Sequence, residues 1–411
     1  VDSLKNPFAP GAGTPPPELA GRQQILENAR IALGRIKNGK PEKSFLLVGL
    51  RGVGKTVLLR EVEHMAKEMD YRTVFIEAHE DKPLVNLLIP NLRQILFEFN
   101  RGQNAGAKVK RALRVLSSFI SIVKLKAKSG QIELELSLDI DPERGTADSG
   151  DLEADLSVLM EVIGEAAQDR NAAVAVMIDE LQYLTEKELS ALIMAFHRIA
   201  QKNLPLVLVG AGLPQLVGKS GRSKSYAERM FDFPNVGPLQ KSDAILALRE
   251  PVKKEGVIFT EEALEEIVRV TQGYPYFLQE WGYQSWKAAP KDQIDLATVR
   301  QANEAAIKRL DENFFRVRLD RLTPREKNYL RALAEFGEET RSGNIANRLG
   351  EEANSVSQVR SNLIKKGMIY SRAHGDTAFT VPLFGDFMKR TMTSSPEKNS
   401  KKSKPPKRSA R

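Results

Sequence analysis

The chain has 411 residues, 28% of them charged and 41% hydrophobic, and no cysteine. That length accommodates two or three domains, and the lack of cysteine excludes disulfides and thiolate metal sites. The net charge is +9, but residues 393–411 hold seven Lys/Arg and one acid, so +6 belongs to the tail and only +3 to the rest. A pI argument for nucleic acid binding is therefore weak for the body of the chain.

No apolar run approaches the roughly 18 residues needed to span a bilayer. The opening residues "VDSLKNPFAPGAG" lack the basic and apolar regions of a secretory leader. Together these features predict a cytoplasmic protein with no membrane partner. His64, His79, His197 and His374 are scattered and read as surface or core residues.

Residues 1–20 are rich in Pro and Gly and predict an extended lead-in. Helical spacing runs from Arg22 to about Lys37. Short apolar strands follow at "PEKSFLLVGL", "YRTVFIEA", "AAVAVMIDE" and "LPLVLVGAG", separated by helical patterns at "TVLLREVEHMAKEM", "PLVNLLIPNLRQILFEFN" and "EKELSALIMAFHRIAQ". Apolar strands alternating with helices predict an α/β fold, a parallel sheet covered on both faces. This domain is expected over 21–239.

An insertion at about 102–155 breaks the rhythm. "SIVKLKAKSGQIELELSLDI" alternates with period two, and Ser129-Gly130 offers a turn. The expectation is a β-hairpin in which Lys124, Lys126 and Lys128 face Glu133 and Glu135. Its apolar face would pack on its own domain or receive a partner.

The pattern is helical from Lys241 to about Phe315, a small helical domain expected over 240–315. Within it "TQGYPYFLQEW" places Gly273 at a helix end and Pro275 at the next helix start, a tight fixed corner. A third module is expected over 316–392. Thr323, Pro324 and Glu326 form a capping-box helix start, and "SGNIANRLG" and "NSVSQVRSNLIKKG" give two further helices. "MIYSR", "AHGD" and "TAFTV" then read as a hairpin. Three helices and a hairpin make a winged helix-turn-helix.

The third helix of that module would present Ser357, Gln358, Ser361, Asn362 and Lys365, which suit base edges, while Arg360, Lys366 and the wing residue Arg372 suit phosphates. Double-stranded DNA is the partner this face predicts; a structural or protein-binding adaptor is the alternative. Residues 393–411 read as a disordered basic tail that adds salt-sensitive affinity.

The chemistry is concentrated in "GLRGVGKTV" and "MIDE". Gly49, Gly54, Lys55 and Thr56 satisfy G-x-x-x-x-G-K-[ST] between a strand and a helix. The backbone of Gly49, Leu50, Arg51, Gly52, Val53, Gly54, Lys55, Thr56 and Val57 is expected to wrap a triphosphate at the positive end of the helix. Lys55 would reach the β- and γ-phosphates and Thr56 would ligate Mg²⁺. Asp179 and Glu180 close an apolar strand at its C-terminal edge, where open parallel sheets bind ligands. Asp179 is the second Mg²⁺ candidate; Glu180 would orient or deprotonate the attacking water.

With both motifs and the helical region after them, the chain resembles the AAA+ ATPases, nearest to the replication-initiator-like and STAND-type members, from Leu19 to Lys389. The resemblance implies ATP and Mg²⁺ as cofactors, and a P-loop core, a helical lid and a winged helix. "LAGRQQILENA" is similar to the family segment on the adenine side, which implies Gly21 and Arg22 as nucleotide contacts, although Gln23 stands where an acid is usual. "TQGYPYFLQEW" resembles the STAND lid motif. "SYAERMFDFPNVGPL" resembles the segment carrying an arginine finger, which implies Arg229, with Arg222 second, acting across a homo-oligomer; a solvated arginine is the alternative. No arginine stands in the lid corner, and Gly210-Ala211-Gly212 offers no polar sensor. Both absences imply slow hydrolysis. The expected function is an ATP-driven switch that repositions the winged helix, acting on DNA or, in the STAND-like alternative, signalling through an unknown protein partner.

Overall fold

A computed structural model describes residues 1–11, 13–101, 106–127, 140–223, 227–337, 339–371 and 375–392. The chain divides into two compact units, Val1–Asn303 and Glu304–Arg411. The division falls inside one helix, α12 (Leu296–Leu310), rather than at the expected 315/316 boundary.

The first unit is built on a five-stranded parallel sheet of β1 (Ser44–Val48), β2 (Tyr71–Glu77), β3 (Ala173–Asp179), β4 (Leu206–Gly212) and β5 (Phe231–Asp232), in the order β2-β3-β4-β1-β5. All seven residues of both β3 and β4 are buried, as expected for strands covered on both faces. The cover comes from α1 (Gln23–Lys37), α2 (Lys55–Glu68), α3 (Leu84–Asn100), α4 (Ala107–Ala127), α5 (Leu152–Asp169) and α6 (Glu186–Gln201). Four of the five strands were legible as apolar runs. The fifth has only two residues, but the chain beyond it stays extended: Val48 N–H donates to Pro234 O (2.9 Å), and Val236 N–H donates to Val48 O (2.7 Å).

Glu188 ties two helices together. It forms a capping box with Thr185 at the start of α6 and also accepts the first N–H of α3 from Leu84 (2.6 Å). That leaves one fewer orphan donor at each helix start.

The expected hairpin is not formed at its first arm. Helix α4 runs through Ala127, so Lys124 and Lys126 lie on a helix. The helical period wins because Val109, Ala112, Leu113, Leu116, Phe119 and Ile120 form one buried stripe, which the sheet-facing core selects over local alternation. The second arm, 131–139, lies outside the described residues. Helix α5 also replaces the end of the expected insertion; its buried Leu156, Leu159, Met160 and Ile163 join the same core.

The sheet unit continues through α7 (Gln215–Ser223) and α8 (Ala227–Met230) into a helical lid. The lid comprises α9 (Lys241–Lys254), α10 (Glu261–Thr271) and α11 (Pro275–Ala288), with a two-strand pair of β6 (Ile258–Phe259) and β7 (Gln293–Ile294). Its corner is as expected: Gly273 has φ +69°, and Pro275 opens α11. The lead-in is anchored on the lid. Phe8 is buried against Gly282, Asn6 Nδ2 donates to Tyr283 O (3.1 Å), and Trp286 Nε1 donates to Asp2 O (2.9 Å).

In the second unit, α13 (Arg316–Asp320) precedes α14 (Pro324–Glu335), β8 (Glu339–Arg341), α15 (Ser342–Leu349), α16 (Ala353–Lys365), β9 (Ile369–Tyr370), β10 (Asp376–Phe379) and α17 (Phe384–Thr391). The strands pair antiparallel in the order β8-β10-β9, which is a winged helix with a third strand and a closing helix that the sequence pattern did not reveal. Phe315, Phe379, Phe384 and Phe387 stack with ring centroids 5.3–5.7 Å apart and fill its core.

The expected capping box is present: Thr323 N–H donates to Glu326 Oε2 (2.8 Å), and Lys366 Nζ reaches the same oxygen at 2.8 Å. Burial raises the Glu326 carboxyl, but Lys366 and Thr323 outweigh it and hold it below its ordinary value. This contribution is present above the unfolded pKa and is lost as pH falls through the folded one. Replacing Glu326 by Ala is expected to destabilise this unit by about 1–2 kcal/mol at neutral pH in urea unfolding. The difference from the unaltered protein should shrink as the pH is lowered below 4.

Candidate functional site

The loop between β1 and α2 is shaped by its glycines. Gly52 and Gly54 have φ of +81° and +92°, a region that residues with a Cβ rarely adopt. A side chain at Gly49 would press into Val236 O, so that glycine allows the extended chain beyond β5 to lie against the loop. Arg22 is only 7% exposed and donates to Val53 O (3.2 Å) and Gly237 O (2.5 Å), bracing the loop from behind. Its guanidinium is lowered from the ordinary value by burial, with Asp243 pulling the other way. Arg22 thus holds protein carbonyls in this structure, and Gly21, at φ +69°, packs against Asp243. From the lid, Tyr276 N–H donates to Gly52 O (3.2 Å).

Lys55, Thr56, Asp179 and Glu180 are brought together where β3 ends opposite the start of α2. Thr56 Oγ1 donates to Asp179 Oδ2 at 2.6 Å, and Glu180 N–H donates to Asp179 Oδ1 at 2.8 Å. Lys55 is 8% exposed and donates to Leu50 O at 2.8 Å. Burial pulls its ammonium down to about 8 from 10.5; Glu180 and Asp179 oppose this, while Arg51 adds to it. Burial raises Asp179, the Glu180 charge adds to the rise, and the Thr56 bond offsets part of it. Glu180 itself has φ +55° and ψ +39°, a strained backbone for a residue with a Cβ.

The residues fit a triphosphate with its cation. Arg51 donates to the Tyr183 hydroxyl at 2.7 Å, yet its Nε is buried with no partner among the described residues, an orphan donor in the phosphate loop. Lys55 is a buried cation bonded, among the described residues, to one carbonyl. Thr56 and Asp179 offer oxygen donors alone, which suits Mg²⁺. Among the described residues, no group of three or more His, Cys, Asp or Glu could hold a metal unaided, so the ion's remaining ligands would come from phosphate and water.

Two sequence candidates lie apart from this cluster. Arg229 is exposed and lines a cavity of about 310 Å³ with Ser44, Leu206 and Phe231, which begin their strands, whereas the phosphate loop follows a strand end. Arg222 falls on α7, and its side chain lies outside the described residues. Gln182, next to the acid pair, was not singled out in the sequence. It donates to Glu180 Oε2 and accepts from Leu213 N–H (3.1 Å). A polar residue two positions beyond the acids was the available signal.

Residues 18–209 match the AAA ATPase domain model. That segment is an AAA ATPase domain. Residues 312–388 match a domain family of unknown function. The chain is 22% identical, over 88% of its length and 86% of the relative's, to an uncharacterized HTH-type transcriptional regulator of Methanocaldococcus jannaschii. A Walker-type ATPase of Pyrococcus abyssi shares the fold at a TM-score of 0.53 and 17% identity, covering 90% of this chain and 96% of that one. The Orc1 protein of Aeropyrum pernix in complex with DNA aligns at 0.45 and 16% identity, over 91% and 93% of the two chains, too low a likeness to carry an argument.

On the winged helix, Ser357, Gln358, Ser361 and Lys365 are exposed along α16, and Asn362 is half-buried and accepts from Gln358 (3.0 Å). Arg360 is engaged internally, donating to Thr377 Oγ1 (3.0 Å) and Asp376 O (2.7 Å). Arg372 lies outside the described residues.

The AAA domain holds Lys55 charged at neutral pH at a cost. Between pH 8 and 10.5 the unfolded chain binds the proton that the folded one has released, so this cost falls as pH rises. Lys55→Met should therefore raise the unfolding free energy of the nucleotide-free protein at pH 7 by an amount on the order of 1–3 kcal/mol, seen as a higher melting temperature. The gap should close as the pH approaches 10.5, and calorimetry across that range checks both sign and window.

Proposed function

We propose that this protein is a cytoplasmic ATP-Mg²⁺ switch whose AAA domain binds and slowly hydrolyses ATP and whose winged helix acts on DNA. The observation that carries the reading is the convergence of Lys55 and Thr56 with Asp179 and Glu180. Lys55 would neutralise the β- and γ-phosphates, and the amides from Gly49 to Val57 would cradle them, with Gly21 and Arg22 flanking the base. Thr56 and Asp179 would hold Mg²⁺, which when bound disperses phosphate charge and polarises the γ-phosphoryl group. Glu180 would accept the proton of the water that attacks the γ-phosphorus as the bond to ADP breaks.

Nucleotide would be sensed through the lid. The Tyr276–Gly52 bond couples α11 to the phosphate loop, so a loop that closes on phosphate shifts the lid with it. No arginine occupies the lid corner, which supports slow turnover. Arg229, remote from its own phosphate loop, would act as a finger on the next subunit of a homo-oligomer.

The DNA reading is supported by the exposed polar side of α16 and by the regulator relative. A specific observation favours a second reading, in which the module is an adaptor for a protein partner in a STAND-type signalling ATPase. Arg360 and Lys366 are both engaged by their own unit, leaving Lys365 as the exposed cation of α16.

Three outcomes are expected. Calorimetric titration should show ATP binding that Lys55→Ala abolishes, and Glu180→Gln should bind ATP while losing at least tenfold in phosphate release. ATPase activity per subunit should rise with protein concentration and lose that rise in Arg229→Ala. A mobility shift with duplex DNA should survive removal of 393–411 and weaken in Lys365→Glu; complete loss with the tail would favour the adaptor.

A further inference from the structure

We infer that Gln182 is the positioning residue for the Glu180 carboxylate, supplied by the turn after β3 in place of a polar side chain on β4. This rests on the ATPase reading of the site. The turn Leu181–Tyr183 follows directly on Asp179 and Glu180. Within it the Gln182 amide is used at both ends: Nε2 donates to Glu180 Oε2, and Oε1 accepts the Leu213 N–H at 3.1 Å. These two bonds fix the amide's orientation, since only one way round satisfies an acceptor carboxylate and a donor backbone.

The neighbouring strand makes room for this arrangement. β4 ends in Gly210-Ala211-Gly212, with no polar side-chain atom. A Cβ on Gly212 would lie 3.1 Å from Gln182 Oε1 and 2.9 Å from a Leu216 methyl, so the space over the end of β4 is already taken by Gln182 and Leu216. The turn is held from a third direction, because Lys219 Nζ on α7 donates to the carbonyls of Gln182 (3.1 Å) and Leu184.

The arrangement leaves Glu180 constrained at both ends. Its backbone is left-handed, and one carboxylate oxygen is engaged by Gln182. A general base oriented by a third group that is itself anchored is a recurring catalytic geometry. Gln182 takes no proton and touches no phosphate in this scheme. It acts on turnover only through Glu180, and it links the acid to the end of β4 and to α7.

The test uses the full chain with Gln182→Glu, which is isosteric and keeps the acceptor for Leu213 while removing the donor, and Gln182→Leu, which removes both. Both should lose about tenfold or more in kcat while ATP affinity by calorimetry stays within about threefold. In a Glu180→Gln background, Gln182→Leu should cause no further loss, because the two act as one unit. Should Gln182→Leu misfold, Gln182→Glu carries the same prediction. If the unaltered protein releases phosphate from ATP and both variants match it within twofold, or if the losses multiply in the Glu180→Gln background, this inference fails and the ATPase reading stands. If the unaltered protein releases no phosphate from ATP, both fail.

Discussion

The buried ammonium of Lys55 is the constraint around which the first unit is organised. It lies in a site only 8% exposed, bonded to the Leu50 carbonyl, with the charges of Glu180 and Asp179 partly compensating for the water it has lost. A buried cation so placed costs free energy unless an anion comes to it. The same holds for the orphan Nε of Arg51 in the same loop. Two under-satisfied donors within five residues of chain give the loop a standing preference for a polyanion. That preference is electrostatic and comes from the loop's own donors.

A loop in this state has to be prevented from relaxing around its own charges, and the fold does so from three sides. The chain beyond β5 pairs with Val48, Arg22 bridges Val53 to Gly237, and the lid reaches Gly52 through Tyr276. The glycines are the other half of the device. Positive φ at Gly52 and Gly54 gives the backbone its curl, and the bare Cα of Gly49 and Gly273 lets the segment 236–239 run close to both loop and lid corner. The lid is therefore hydrogen-bonded to the phosphate loop through Tyr276 and Gly52.

The motif residues were legible because their chemistry is local. G-x-x-x-x-G-K-T and an acid pair closing an apolar strand are read from a dozen residues each, and the structure brings Lys55, Thr56, Asp179 and Glu180 together. What was not legible depends on tertiary context. Residues 121–127 alternate like a strand, yet they complete a helix whose upstream stripe from Val109 to Ile120 is buried. β5 and β8 have two and three residues, too short for a period to show. The resemblance of the segment around Arg22 implies a nucleotide contact; that its guanidinium also meets two carbonyls depends on the fold. Gln182 offers only its polarity two positions beyond the acids; its contacts with Glu180 and Leu213 follow from the left-handed turn at Glu180, which no propensity scale anticipates.

The winged helix obeys the same physics with the opposite result. There the cations are mostly satisfied at home: Arg360 by the carbonyl of Asp376, Lys366 by Glu326, Arg348 by Glu335, and Arg325 by Glu351 at 2.6 Å. A cation paired with a carboxylate or held by several acceptors inside its unit gains less from a phosphate than the Lys55 ammonium, bonded to the Leu50 carbonyl, does, because it must first give up what it has. The exposed side of α16 is therefore polar more than positive, suited to reading a surface by hydrogen bonds and poorly suited to gripping a polyanion by charge alone. In the composition, the excess of positive charge that could supply the missing long-range attraction is concentrated in residues 393–411.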